Sequence, residues 1–431
     1  MKQKCLISVT WVLVVIFTPY LWASEQQSDP NNPVSLQDYL RYAALNNAGL
    51  KAAFEQWKAA MEQIPQAKSL PDPKFTYGYF IEEVETRVGP QRQKFGIMQV
   101  FPWFGKIEAR TDAAAASAKA ARKQYEATKL KLFFDVKDSF YEYVYLARAV
   151  EIARENLELI KHFEEVARIK YIAAAAGHPD VIRAQIELAK LEDQLKTLED
   201  LRGPIVARLN AVLNRRNFGM LPWPRKEEFR AGKVSRRHII ELLRAQNPEL
   251  QALDFEVEAA KNRVELAKKK FWPDIGVGVD WIQTDDSPTG GSDSGKDPVI
   301  LMFTMNLPIW QDSYTAAELQ AKANVRRKTQ QKTQAENTIT ARAEQALYDF
   351  EDSNRKVKLY GDILIPKAEE LLGASETAYK VGTIDFLSLI NAQQKLLEFQ
   401  LRHKRAVTDN QQKLARLQML AGEELTVQSD K

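Results

Sequence analysis

Along this chain the period of the apolar positions changes twice, in the same order each time. Residues 36–70 and 236–271 are rich in Ala, Glu, Lys and Gln, which predicts helices. A Pro-Asp turn (Pro71-Asp72, Pro273-Asp274) then opens a stretch of period two. Phe75, Tyr77, Tyr79 and Ile81 alternate with Thr76, Gly78, Phe80 and Glu82, while Ile275, Val277, Val279 and Trp281 alternate with Gly276, Gly278 and Asp280. Each stretch predicts a strand, and return strands follow over 94–101 and 299–307, giving hairpins at 74–101 and 274–309. Long helices are predicted over 105–176 and 313–381, the second with a kink or break at Gly361 and Pro366. Turns at Gly177-His178-Pro179 and Gly382-Thr383 lead into returning helices over 180–214 and 386–420.

The parallel order reflects an internal repeat. Tyr171, Ala184, Gln185 and Leu188 recur as Tyr379, Ala392, Gln393 and Leu396, all shifted by 208. Asn47, Leu50, Ala52, Ala59 and Ala60 recur as Asn247, Leu250, Ala252, Ala259 and Ala260, shifted by 200. The shift grows in steps, as loops of unequal length in two copies of one unit require. The expected organisation is a leader over 1–23, a first copy over 24–214, a proline-containing linker over 215–234, a second copy over 235–421 and a tail over 422–431. At about 1.5 Å per residue, the first long helix spans roughly 105 Å and each shorter segment roughly 50 Å. Two short helices laid end to end match one long one, so the expected fold is a mainly α rod with strands at one end and the Gly turns at the other.

Strands of this length suit a tilted crossing of a bilayer. Aromatic residues gather where strands meet helices: Phe101, Trp103 and Phe104 in one copy, Phe271, Trp272 and Trp310 in the other. Such a girdle fits a membrane–water interface. A soluble sheet with an aromatic core is the alternative, but a rod offers no globular domain to cover the apolar face. Four strands also leave two open edges, which lipid does not tolerate. Closing a barrel from three chains gives twelve strands, and closing it from two leaves little lumen.

Composition narrows the chemistry. Lys2 and Lys4, an apolar run over 6–17 and Leu21-Trp22-Ala23 read as an export signal peptide. The only cysteine, Cys5, lies inside it, at the wrong end for a lipid anchor, so the mature chain is expected to lack disulfides and thiol chemistry. Lys+Arg 61 against Asp+Glu 57 leaves no nucleic-acid footprint. Mean hydropathy is −0.39, and no later stretch is long and apolar enough for a membrane helix. The four histidines are unpaired at ligand spacing, and Met302 and Met305 face opposite sides of a strand, so no metal site or other cofactor is expected. No nucleophile elbow, phosphate loop or zinc-protease motif occurs, and no enzyme is expected.

The repeat, the Tyr379-x-x-Gly382 turn, the Asn391-Ala392-Gln393 helix start and the Pro-aromatic step after each hairpin resemble the TolC family of outer-membrane efflux channels. The resemblance covers about residues 36–421. The run from Gln99 through Phe101-Pro102-Trp103-Phe104 to Lys106 is similar to the branch that serves heavy-metal cation exporters. The resemblance implies a homotrimer, with a twelve-stranded barrel in outer-membrane lipid and an α-helical tunnel through the periplasm of a Gram-negative cell. It implies partners too, a periplasmic adaptor (membrane fusion) protein and an inner-membrane pump, and no nucleic acid. Carried over position by position, the mouth of the tunnel falls on Asp180 and Arg183 in one copy and on Ser388 and Asn391 in the other. Tyr171, Gly177, Tyr379 and Gly382 would shape the turns on which the adaptor docks. Asp180 fits a helix N-cap equally well, Arg183 a solvated charge, and Asp385 a cap. The implied function is the passive exit duct of a tripartite efflux system. An outlet for type I protein secretion and a soluble periplasmic coiled-coil adaptor are the alternatives.

Overall fold

The computed structural model describes residues 33–215, 219–225 and 232–425. The expected leader lies outside the described residues, as do parts of the linker and tail. The first copy contains α1 (Leu36–Asn46), α2 (Ala48–Lys68), β1 (Lys74–Thr86), β2 (Gly89–Phe101), α3 (Lys106–Ile172), α4 (His178–Asp200) and α5 (Arg202–Leu213). The second contains α6 (Arg236–Gln246), α7 (Pro248–Lys269), β3 (Ile275–Thr284), β4 (Val299–Met305), α8 (Gln311–Lys358), a π turn (Leu359–Leu364), α9 (Ile365–Val381) and α10 (Phe386–Ala421).

The order of elements is as expected, but several boundaries differ. Each opening helix is two helices, broken at Asn47 and at Asn247. Both asparagines adopt extended backbone and cap the next helix, their Oδ1 accepting from Leu50 N at 2.9 Å and Leu250 N at 3.0 Å. The first returning helix is also two, α4 and α5, because Pro204 has no amide to bond one turn back. The predicted break at Gly361 and Pro366 is a π turn, not an interruption. Finally, β2 begins at Gly89 instead of residue 94. The first hairpin closes on Arg87-Val88, and Gly89 at φ +131 leaves room for the Asp285 carbonyl.

The helices form one layer. α3 packs between α2 and α7 in its upper half and between α4 and α10 in its lower half, while α7 and α10 also pack on α8. The short helices stack end to end through the same two asparagines. Asn47 Nδ2 donates to Val212 O, at the end of α5, at 2.8 Å, and Asn247 Nδ2 donates to Leu420 O, at the end of α10, at 2.8 Å. The small helices α1 and α6 pack against this layer at mid-height. Tyr39 and Ala43 bury against Val136, Phe140 and Tyr143 of α3, and Ile239 and Leu243 against Ile339, Ala343 and Phe350 of α8. The described part of the linker is pinned beside them. Trp223 stacks on Tyr143 at 5.2 Å, with the Arg202 guanidinium 4.1 Å from its ring.

The four strands form one antiparallel sheet in the order β1-β2-β3-β4, with β1 and β4 at open edges. Register places Phe75, Ile97, Val279 and Leu301 in one row and Tyr77, Phe95, Trp281 and Val299 beside them, all on one face. Thr76, Gly96, Asp280 and Ile300 form a row of the opposite face, where Lys94 pairs with Asp280. A side chain at Gly96 would collide with the Asp280 carboxylate. The register shifts between Tyr79 and Val84, so the simple alternation expected to carry Ile81 on the Phe75 face ends before it.

Candidate functional site

Two ends of the molecule carry the residues singled out by sequence. At the helical tip, Tyr379 is buried, packs edge-on against Phe386 at 5.3 Å, and donates from its hydroxyl to Asp180 Oδ2 at 3.5 Å. Burial, and then the Asp180 charge, push its pKa up to about 12, so the phenol remains a donor. The Lys170 ammonium sits 4.4 Å from the Tyr379 ring centroid and donates to the carbonyls of Tyr379 and Lys380. This ties the end of α3 to the end of α9. Lys170 was missed by sequence reasoning, and only the repeat, which sets Tyr171 level with Tyr379, pointed near it.

Asp180 is not the N-cap of α4. That position is Gly177, which has no side chain to cap with, and Asp180 lies in the first turn. Its carboxylate is therefore available sideways, to Tyr379 and to Arg183 at 3.7 Å. Asp385 does cap α10, accepting from the Ser388 amide at 2.9 Å and its hydroxyl at 2.6 Å. These bonds, the hydroxyl's first, hold the Asp385 carboxyl below its usual range. Ser388 is thus engaged by the cap, whereas Asn391, one turn on, is exposed. Gly382 ends α9 at φ +82. Its counterpart at a shift of 208 is Ala174, at φ +57, and not Gly177. Tyr171 is exposed and packs on His178 at 5.1 Å, so the two repeat-related tyrosines do different things. A bond from Gln394 to Glu187 at 2.8 Å further joins α10 to α4.

At the sheet end, Trp103 and Trp272 stack face to face, 5.3 Å apart and 7° from parallel. Asp274 accepts from the Trp103 amide at 2.8 Å and from Lys106 at 2.7 Å. The Pro-Asp turn of one copy is thereby locked to the Pro-aromatic step of the other. Phe271 packs on Tyr314 at 5.7 Å, and Phe101 pairs with Ile275 at the end of its strand. Phe104 and Trp310 stand out from the surface, 83% and 75% exposed. All six aromatics therefore lie in the junction between sheet and helices. Among the described residues no helix is long and apolar enough to cross a membrane, and no three His, Cys, Asp or Glu side chains gather as a metal site.

Comparison with known proteins adds to this geometry. The model of the outer membrane efflux protein family matches residues 40–215 and again 239–423, once in each copy. The chain is 23% identical to Nodulation protein T of Rhizobium leguminosarum bv. trifolii over 88% of this chain and 83% of that one. It is 19% identical to the cobalt-zinc-cadmium resistance protein CzcC of Cupriavidus metallidurans over 86% of each. Among solved structures it is similar to the outer membrane protein VceC of Vibrio cholerae, with a TM-score of 0.73 and 17% identity over 90% of this chain and 96% of that one. It is likewise similar to CusC, with a TM-score of 0.74 and 14% identity over 93% and 96%. The chain is thus an outer-membrane protein reaching into the periplasm, and it belongs to the outer membrane efflux protein family, a family of channels and not of enzymes.

Proposed function

We propose that three copies of this chain assemble into the passive exit duct of a tripartite efflux system. The observation that carries this reading is the sheet. Its apolar face is bare, with Phe75 and Phe303 each 70% exposed, and β1 and β4 have unpaired edges. One chain cannot close such a sheet, and lipid admits a sheet only as a closed barrel. Three chains give twelve strands, and the helical layer, with α2 and α4 along one border and α8 and α9 along the other, closes with them into a tube. The sheet end then spans the outer membrane, with the six junction aromatics at its periplasmic rim. The tip is the mouth, lined by Asp180, Arg183 and Asn391, with Ser388 held in its cap. The turns bearing Tyr171, Gly177 and Gly382 receive a periplasmic adaptor, which couples the duct to an inner-membrane pump.

Fractionation tests the assembly directly. The protein is expected in the outer membrane as a heat-labile trimer, and a soluble periplasmic monomer would refute the reading. Cross-linkers placed at Gly177 or Gly382 should capture an adaptor. In lipid bilayers, Tyr379→Phe should raise conductance by untying α9 from α4, and unchanged conductance would remove Tyr379 from the mouth mechanism.

A further inference from the structure

Below the sheet, the helical layer has two unlike faces. In heptad steps down α3, Arg122, Lys129, Val136 and Tyr143 form one stripe, and its last two members pack under α1. Ser117, Gln124 and Lys131 form another, roughly 150° around the helix. The helices α1 and α6 therefore mark the outer face. On the opposite face a groove runs across α2, α3, α7 and α8. On the trimeric-duct reading, this grooved face, opposite α1 and α6, is the channel side.

The charges divide by face. On the outer stripe of α7, Asp254, Glu258, Lys261, Glu265 and Lys268 mix both signs, with Lys268 on Glu265 at 2.8 Å and Lys332 of α8 on Asp254 at 2.6 Å. On the channel side, α7 presents Arg263, with Lys270 one heptad on at its C-cap, and α8 adds Arg327 and Lys328. A single acid, Glu256, lines the same grooves, and it is taken by Lys328 at 2.5 Å. Arg263 donates to the Ser117 hydroxyl at 3.2 Å, and Lys270 and Arg327 have no carboxylate at ion-pair distance among the described residues. The result is a surplus of three positive charges per chain just beneath the membrane. The sign continues upward. On the inner face of the sheet Asp280 is neutralised by Lys94, and Lys74, in register with Met98, faces no acid.

Resting on the trimeric-duct reading, we propose that this collar makes the channel select anions. Its cargo carries net negative charge: organic acids bearing carboxylates or phosphates, or metal ions only as anionic complexes. Three chains place nine uncompensated cations around one aqueous bore. Low-dielectric walls focus their potential into the lumen, and salt weakens it over a Debye length of about 10 Å at 0.1 M. Bare divalent cations meet the same potential as a barrier.

The test is permselectivity of the purified full-length protein in planar bilayers under a potassium chloride gradient. At low salt the reversal potential should show chloride preferred over potassium several-fold, with the preference shrinking as salt rises. The triple variant Arg263→Glu, Lys270→Glu, Arg327→Glu should reverse its sign, while Lys261→Glu, on the outer stripe, should leave it unchanged. A wild-type pore that is unselective or prefers potassium overturns the inference while leaving the duct intact, and so does a triple variant that keeps the wild-type sign. Absence of any pore overturns the duct reading as well.

Discussion

Asn47 and Asn247 each perform three tasks with one side chain: they end a helix, cap the next and hold a distant helix end. Replacing either with Ala should cost about 1–2 kcal/mol for the lost cap and stranded carbonyl. The two sites lie in separate copies, so the losses should add in the double variant, as read by thermal unfolding in detergent. The sequence marked both residues as a repeated pair, yet their role was not legible, because their partners lie 165 and 173 residues away. Tyr379 offers a second test. Its folded pKa of about 12 stands above the ordinary 10.0, so the stability it contributes is complete below pH 10 and is lost as pH rises toward 12. Alkaline unfolding of Tyr379→Phe should lack that component when compared with wild type. The acid at Asp180 was legible as a candidate, but its use was not. Whether it caps or reaches sideways depends on the three-residue offset between Ala174 and Gly177.

Among the elements, strands were the most legible, because a sheet with one bare apolar face writes period two directly into the chain. What did not show was the shift between Tyr79 and Val84, since a bulge changes the count without changing composition. Helix breaks inside runs of good helix formers were equally hidden, because tertiary hydrogen bonds and not propensity create them. Gly361 lies in the π turn, where the sequence predicts an irregularity, and the structure gives the reason. A Cβ there would lie 3.0 Å from His403 Nε2 on α10. Burial, then the neighbouring Lys404, lower the His403 pKa, with Asp362 opposing. A histidine held neutral in this way contributes stability that is present above its ordinary pKa of 6.5 and is lost as pH falls below it. Acidification should therefore loosen α9 from α10 first. Hydrogen exchange across α9 at pH 5 and pH 7 would show this, and the difference should vanish in His403→Phe.

At the scale of the molecule, matched helix lengths predicted the rod and its stacked short helices, and open strand edges predicted a shared barrel. Charge sidedness was not legible, because assigning Arg263 and Lys261 to opposite faces requires knowing where α1 and α6 pack. Val277→Arg with Val279→Arg should abolish membrane assembly, at about 2–4 kcal/mol for each charge at mid-bilayer depth. Recovery of the double variant as assembled trimer in the outer-membrane fraction at wild-type levels would contradict the membrane-facing assignment. The π turn has a consequence at this scale as well. Between Pro102/Pro308 and Tyr171/Tyr379 the offset between the copies rises from 206 to 208, so the second long wall has gained residues that the first lacks. In an unbroken α-helix one added residue swings everything beyond it by about 100°. The wider turn at Leu359–Leu364 acts instead as an expansion joint, taking up added length so that Ala368, Leu372 and Tyr379 still meet α10. Deleting Gly361 should then yield a straight helix with Tyr379 still buried, whereas deleting Ala346, upstream in α8, should swing Phe350 and Val357, between the deletion and the turn, off their buried face.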